Sequence, residues 1–314
     1  MGRLIARRVL LSVPLVFVVS ALTFVLQSLT PGDAARTILG TDYAPDRYRQ
    51  LKTQLGLDQS VYEQYWDWLR RVFHGSLGES LFSGQPVTSA LHERIGTTLS
   101  LIIGTLIVSG VVGVGLGVVS ALRGSGVLAR AVDVLSLLGE ALPNFWVGLV
   151  LIAIFAVGLR LFPATGYVPI GDSVADWAWS LALPVVTLSL GPVALISKLT
   201  RDAMLDVLDQ DFIVALRARG IPERTIVLRH ALRSAGIPVV TVLGLLFVGL
   251  LSGTVLIEAV FGLPGLGGLA VQSTTQHDLP MVQGVAVCFA LIVVAVNLLT
   301  DLAYGWLNPR ARVS

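Results

Sequence analysis

Six long apolar runs, separated by polar stretches, set the pattern of this chain. They fall near residues 9–29, 97–121, 133–159, 179–199, 237–258 and 281–307. Each approaches the roughly 20 residues that a helix needs to cross a bilayer. The pattern predicts an all-α integral membrane protein with six transmembrane helices. The fourth run is the least regular, because Pro184, Gly191 and Pro192 interrupt it. Ser109, Gly113 and Gly117 in the second run, and Gly249 and Gly253 in the fifth, recur at four-residue spacing. Small residues so placed let helix backbones approach closely, which predicts a tight bundle.

The long polar stretch between the first two runs has a pattern of its own. DRYRQLKTQLGL carries Tyr48, Leu51 and Leu55, and VYEQYWDWLRRVF interleaves aromatic with charged residues. Both read as amphipathic helices forming a small layer beside the membrane. That layer is either a cover on the bundle or a docking surface for an external partner.

Composition supports the membrane reading. Apolar residues make up 54% of the chain and charged residues only 13%, against about 25% charged in soluble domains. A net charge of +2 is too small to argue for nucleic acid. The single Cys288 lies in an apolar run and cannot form an internal disulfide. MGRLIARR followed by an apolar run resembles a signal peptide, but the run exceeds the usual length and no small-residue cleavage site closes it. An uncleaved first span fits better.

Basic residues orient the helices. Fourteen of them, including Arg3, Arg7, Arg8, Arg123, Arg130, Arg310 and Arg312, fall on one side, and the short loops on the other side carry only Arg160. The positive-inside rule puts both termini in the cytoplasm. The chain then divides into an N-terminal transmembrane helix over 1–30, an extracytoplasmic helical loop region over 31–96, and a transmembrane core over 97–314. A cytoplasmic loop at about 205–236 interrupts that core.

Ionisable groups within the spans are few. Asp133 and Glu140 share a helical face, while Asp133, Glu258 and Asp301 fall near predicted span ends, where water or headgroups can solvate them. Buried acids in a bilayer are costly and point to function. Glu140, followed by Pro143 and Asn144, is the one that reads as deep, either lining a substrate path or bonding to another helix. No P-loop, G-x-S-x-G or H-E-x-x-H motif occurs, and the four histidines are scattered. The chain therefore shows no catalytic constellation, cofactor site or energy source of its own.

The richest chemistry lies in DFIVALRARGIPERTIVLRHALRSAGIP, residues 211–238. It is basic and helix-prone, with a break at Gly220-Ile221-Pro222. Gly220 can take backbone angles closed to other residues, and Pro222 suits the first turn of a new helix. Glu223 near that start, and Arg229 and Arg233 toward its end, would complement the dipole of a short second helix, which also carries Arg224. A charged loop that only orients the protein is the plainer alternative.

This loop resembles the EAA motif of binding-protein-dependent ABC importers, E-A-A-x(3)-G-x(9)-I-x-L-P. With the glycine on Gly220, Ala215 matches the triplet, while His230 and Arg233 replace the later isoleucine and proline. Those departures are similar to the dipeptide/oligopeptide/nickel branch, in which a segment like ARAKGL-x-E-R-x(4)-RHALR precedes a proline. An ordered series strengthens the resemblance: RRVLLSVP, TPGD, LGLDQSVYEQYWDWL, GSLGES, LPNFWVGL, LFPATGY, VFGLPGLG and LNPR.

The resemblance, to the B-type permease, implies a type I ABC importer permease fold in the cell membrane of a bacterium or archaeon. It implies a heterodimeric pore with a homologous C-type permease, two ABC ATPase subunits, and an extracytoplasmic solute-binding protein that delivers a peptide or other small solute. The segment after Gly220 would be the coupling helix that docks on an ATPase. VFGLPGLG would be a structured outer gate or a turn, and Phe261, Leu263 and Leu266 around Pro264 are poor choices for an exposed turn. A proton- or ion-driven carrier acting alone is the competing function. It would need a relay of intramembrane acids, for which only Glu140 qualifies.

Overall fold

The computed structural model describes residues 2–40, 44–123 and 142–307. Among these residues five helices are long and apolar enough to cross a membrane, with spans at Leu10–Leu29, Val87–Arg123, Val174–Leu208, Pro238–Phe261 and Leu279–Ala303. The expected third span, 133–159, begins outside the described residues. Its remainder is the apolar helix α6, Asn144–Leu151, which widens into π-type turns over Ile152–Gly158. Asp133 and Glu140 also lie outside the described residues.

The chain divides into two units, Met1–Thr98 with Pro264–Ala295, and Leu99–Leu263 with Val296–Ser314. The first begins with α1, Gly2–Leu29, whose apolar length outweighs Pro14 inside it. Three short helices come next: α2, Ala34–Leu39; α3, Pro45–Gln54; and α4, Val61–Phe73. Two of their starts are fixed by side chains that satisfy free backbone donors. Asp33 accepts from the Arg36 amide at 2.8 Å and from the Tyr48 hydroxyl at 2.5 Å. Ser60 and Glu63 form a reciprocal capping box. Helix α5, Val87–Arg123, begins well before residue 97, so Glu93 and Arg94 lie on this long helix rather than in the loop before it.

The core of this unit joins Val87, Ala90 and Leu91 to Leu266 and Leu269 of α10, Leu266–Gln276, and to Met281 and Val285 of α11, Leu279–Leu307. A second cluster sets Phe24 of α1 against Trp68 of α4 and Val287 of α11. Buried polar groups tie the layers together. Asp278 accepts from Ser80 Oγ at 2.5 Å and from the Leu81 amide at 3.2 Å, and Gln283 donates to the Ser20 carbonyl at 3.0 Å. The sequence pattern does not single out Asp278 or Gln283. Each sits beside an apolar run, and only tertiary pairing distinguishes it from an ordinary flanking polar residue.

The second unit is built around α7, Val174–Leu208, which stays unbroken through Pro184 and Pro192. It is the most enclosed of the long helices, so neighbours hold it where isolated prolines would bend it. Helix α5 packs on it through glycines. A Cβ at Gly113 would lie 2.9 Å from Ile196, and one at Gly117 would lie 2.6 Å from the Ser197 carbonyl. The expectation for Ser109, Gly113 and Gly117 holds in this form, with Ser109 fully buried. Gly249 and Gly253 differ, because a Cβ on either would meet nothing within 4 Å. The close approach on α9, Leu232–Phe261, occurs at Gly244, against Thr300.

Candidate functional site

The polar segment 205–236 folds into a corner between two long helices. Helix α7 ends at Leu208, and after Asp209 and Gln210 a discrete helix α8, Asp211–Ala218, begins. Gly220 stops it at φ +74. Its amide donates to the Arg217 carbonyl at 2.9 Å, and the Ile221 amide donates to the Leu216 carbonyl at 3.3 Å. This paired closure is a Schellman motif, which needs a left-handed residue in the Gly220 position. Pro222 caps the next element, Glu223–Thr225, without being part of it.

Beyond Pro222 the chain departs from the expected short second helix. Glu223–Thr225 leads into π-type turns over Ile226–Ala231 and then directly into α9. No stop signal separates these parts: Gly236 and Pro238 lie inside the long helix. Arg229 and Arg233 therefore sit near no helix C-terminus, and the dipole argument for them fails. The free-standing rod is α8, before Gly220.

A buried cluster fixes the corner to the long helices. Ile213 of α8 packs with Met204 and Val207 of α7, with Ile226, Val227 and Ala231, and with Ala121 of α5. Leu216 and Ile221, the two ends of the Schellman closure, lie against the same cluster. Across the corner, Arg217 Nη2 meets Glu223 Oε1 at 2.7 Å and Nε meets Oε2 at 3.2 Å. This two-point contact holds the Glu223 carboxyl below its ordinary range and pushes the Arg217 guanidinium up.

The outer surface of the corner is basic and apolar together. Ala215, Gly220, Pro222, Glu223, Arg224, Arg229 and Arg233 are exposed, and Ile221 and His230 are half-buried. Phe212, Val214 and Leu228 are also uncovered, at 42%, 57% and 64% exposure. These three were not among the residues expected to form the site. Their signal is the spacing of Ile213 and Leu216, which turns Phe212 and Val214 away from the core face.

At the other end of α9, Gly262 adopts φ +62 and the Leu263 amide donates to the Glu258 carbonyl at 2.8 Å. This is the same closure as at Gly220. Phe261 is buried at 2% exposure, with Gly148 of α6 against its ring and its carbonyl accepting from the Gly166 amide at 2.9 Å. Asn144 is half-buried one turn before Gly148 on the same helix face, and Pro264 is exposed. Glu258 is 1% exposed, not solvated as its place near a span end suggested. The helix runs on to Phe261, about one turn past Glu258.

Two family models cover this architecture. That of the binding-protein-dependent transport system inner membrane component matches residues 113–313, and the N-terminal model of the same membrane components matches 1–102. The chain belongs to this family. A protein of Brucella abortus (strain 2308), named for a peptide transport system permease, is similar at 39% identity over 312 residues, 99% of each chain. The di/tripeptide transport system permease protein DppB of Pseudomonas aeruginosa (strain UCBPP-PA14) is 36% identical over 98% of each. The fold is similar to a chain of the MetNI methionine ABC transporter in inward-facing conformations, with a TM-score of 0.55 at 18% identity, covering 70% of this chain and 97% of that one. The protein is thus a multi-pass membrane permease of an ABC importer. Its ATPase resides in separate subunits, and a binding protein serves it.

Proposed function

We propose that this permease forms half of a pore for peptides or related small solutes, with a homologous C-type permease as the other half. The peptide assignment rests on relatives similar over 98–99% of the chain. Both termini and the 205–236 corner would lie in the cytoplasm, and residues 31–96 outside, as the distribution of basic residues argues.

The corner would dock on an ATPase subunit. The observation that carries this reading is an exposed apolar and basic surface, Phe212, Val214 and Leu228 with Arg224 and Arg229, on a helix pair anchored in the α5–α7–α9 core. Uncovered apolar side chains rimmed by charge mark a protein contact. Ala215, Gly220, Ile221, Pro222, Glu223, His230 and Arg233 complete that surface or shape it. The packing of Phe261 beside α6 supports a closed outer gate, with Asn144, Glu140 and Pro264 as further candidates for the solute path.

Cysteine cross-linking tests the docking. In a Cys288→Ser background, Val214→Cys or Ala215→Cys should cross-link to the ATPase subunit in native membranes and react with impermeant reagents only from the cytoplasmic side. Labelling from outside, or no cross-link to any ATPase, would defeat the reading.

A further inference from the structure

Hydroxyl groups along the seam where α5 meets α7 fall into two sets. Farther from the corner, Thr105 donates to the Leu101 carbonyl at 2.8 Å and Ser189 to the Val185 carbonyl at 2.6 Å. Bonding back to the carbonyl one turn earlier is a common way for a hydroxyl inside a helix to be satisfied. Ser109, Ser120, Ser197 and Thr200 do not follow it. All four are fully buried, their oxygens are closed off from solvent, and none has a hydrogen-bond partner among the described residues. Leaving a buried hydroxyl unpaired costs more than its bond would contribute.

The register of the seam shows what these groups face. A Cβ on Gly113 would lie 3.1 Å from the Val193 carbonyl, and one on Gly117 would lie 2.6 Å from the Ser197 carbonyl, so the two helices run parallel. One turn before the first contact stand Ser109 and Ser189, and one turn after the second stand Ser120 and Thr200. The seam thus sets two hydroxyls of α5 opposite two of α7, and no bond joins either pair.

Both helices end at the corner. Ala121 of α5 and Met204 and Val207 of α7 pack in the cluster that holds Ile213 of α8. A push on α8 reaches the ends of both helices, and at Gly113 and Gly117 α5 has no side chain to lock against α7. Packed helices can shift by about 1–2 Å between discrete arrangements, and hydroxyls facing each other across a membrane helix pair bond to one another.

We infer that the α5–α7 seam has a second arrangement, in which α7 moves along α5 so that Ser109 bonds to Ser189 and Ser120 to Thr200. Motion of the corner switches the seam between the two. The bonds that the present arrangement forgoes are made in the other one, which keeps the two states close in energy. The inference rests on the proposed docking of the corner on an ATPase, which supplies the push.

Removing one hydroxyl pair separates this from an ordinary packed seam. Ser120→Ala with Thr200→Val nearly keeps the shape of the contact. In the present arrangement that double variant loses only unpaired groups, so the permease should unfold at the same or a higher temperature than the parent. In the second arrangement it loses a bond, so ATP-driven uptake by the complete transporter should fall several-fold. Full uptake, or a lowered unfolding temperature, would overturn the inference. Ser120→Cys with Thr200→Cys, in the Cys288→Ser chain of the complete transporter, reads the movement directly. Oxidative cross-linking of the pair should differ several-fold between the nucleotide-free and the vanadate-trapped states, and equal rates would overturn the inference. Equal rates together with a Val214→Cys cross-link to the ATPase would leave the docking standing, so the two readings fail separately.

Discussion

Replacing Gly220 isolates the corner from everything around it. A Cβ at this position would meet nothing within 4 Å, so a substitution adds no clash and acts only through the backbone. At φ +74 a residue other than glycine costs roughly 1–2 kcal/mol, with asparagine tolerated best and a β-branched residue worst. One to two kcal/mol corresponds to a factor of about 5 to 30 in the population of the closed corner. The Schellman bonds at Gly220 and Ile221 would open, and the Arg217–Glu223 contact would lose its geometry. Gly220→Asn should therefore couple almost normally, Gly220→Ala should lose several-fold in transport, and Gly220→Val should lose most. The assay is solute uptake into vesicles holding the complete transporter, alongside its ATP hydrolysis and the amount of permease in the membrane. Uptake should fall in that order while hydrolysis persists and abundance holds. Full transport by the Gly220→Val variant, or a ranking by side-chain size instead of backbone tolerance, would refute the reasoning.

Three further outcomes rest on named contacts. Gly117→Leu should destabilise the folded permease by about 1–3 kcal/mol or more through overpacking on Ser197 and Thr200, whereas Gly249→Ala, with open space around it, should not; thermal unfolding in detergent compares them. Asp278→Ala strips the acceptors from Ser80 and the Leu81 amide, each bond to a charged group contributing roughly 1.5–3 kcal/mol, so limited proteolysis should cut near residues 76–86 in that variant and spare the parent. Glu223 is held below its ordinary value near 4.5 by Arg217, so its ion pair contributes above that value and is lost only as pH falls through the lowered one. Coupling should stay flat from about pH 8 to pH 5, and because the pair is exposed and screened, Glu223→Gln should reduce transport modestly; complete uncoupling by that variant would contradict this.

The glycine-led tripeptides show how far the sequence could be read. Gly-Ile-Pro at 220–222 and Gly-Leu-Pro at 262–264 both end helices with the same closure, and both breaks were legible. Gly236-Ile237-Pro238 has the same letters, yet α9 runs through it. The difference lies outside the tripeptide. Ala235 and Val239 are buried, so packing keeps the helix continuous where local preference alone would end it. The same cause hid the true extent of the second helix beyond Gly220. Apolar length marked the spans well, since lipid demands an internally bonded helix whatever the neighbours. The buried Asp278 and Glu258 were not legible, because their partners and caps are distant in sequence or depend on where a helix stops.

Force applied to the corner reaches the bundle through one apolar cluster. Ile213 on the free-standing α8 touches the same core as Met204 and Val207 at the end of α7, Ile226 and Val227 at the start of the run into α9, and Ala121 near the end of α5. Close-packed interiors transmit displacement with little compression, so α8 cannot tilt without carrying those helix ends. The Schellman closure and the two-point Arg217–Glu223 contact resist bending at the one place where the backbone turns. The π-type turns over Ile226–Ala231 are then the compliant element, since widened turns are where helices yield. Stiffening that stretch tests the division of labour. Deleting Leu228, which is exposed and so leaves no cavity, would allow an α-helical register. Because a widened turn takes up one extra residue, closing it to α-helix keeps the flanking faces in phase, so the deletion should weaken the proposed docking no more than Leu228→Ala does, while transport falls below that of Leu228→Ala. If the deletion variant transported as well as Leu228→Ala, the widened turns would have no role in setting the lever.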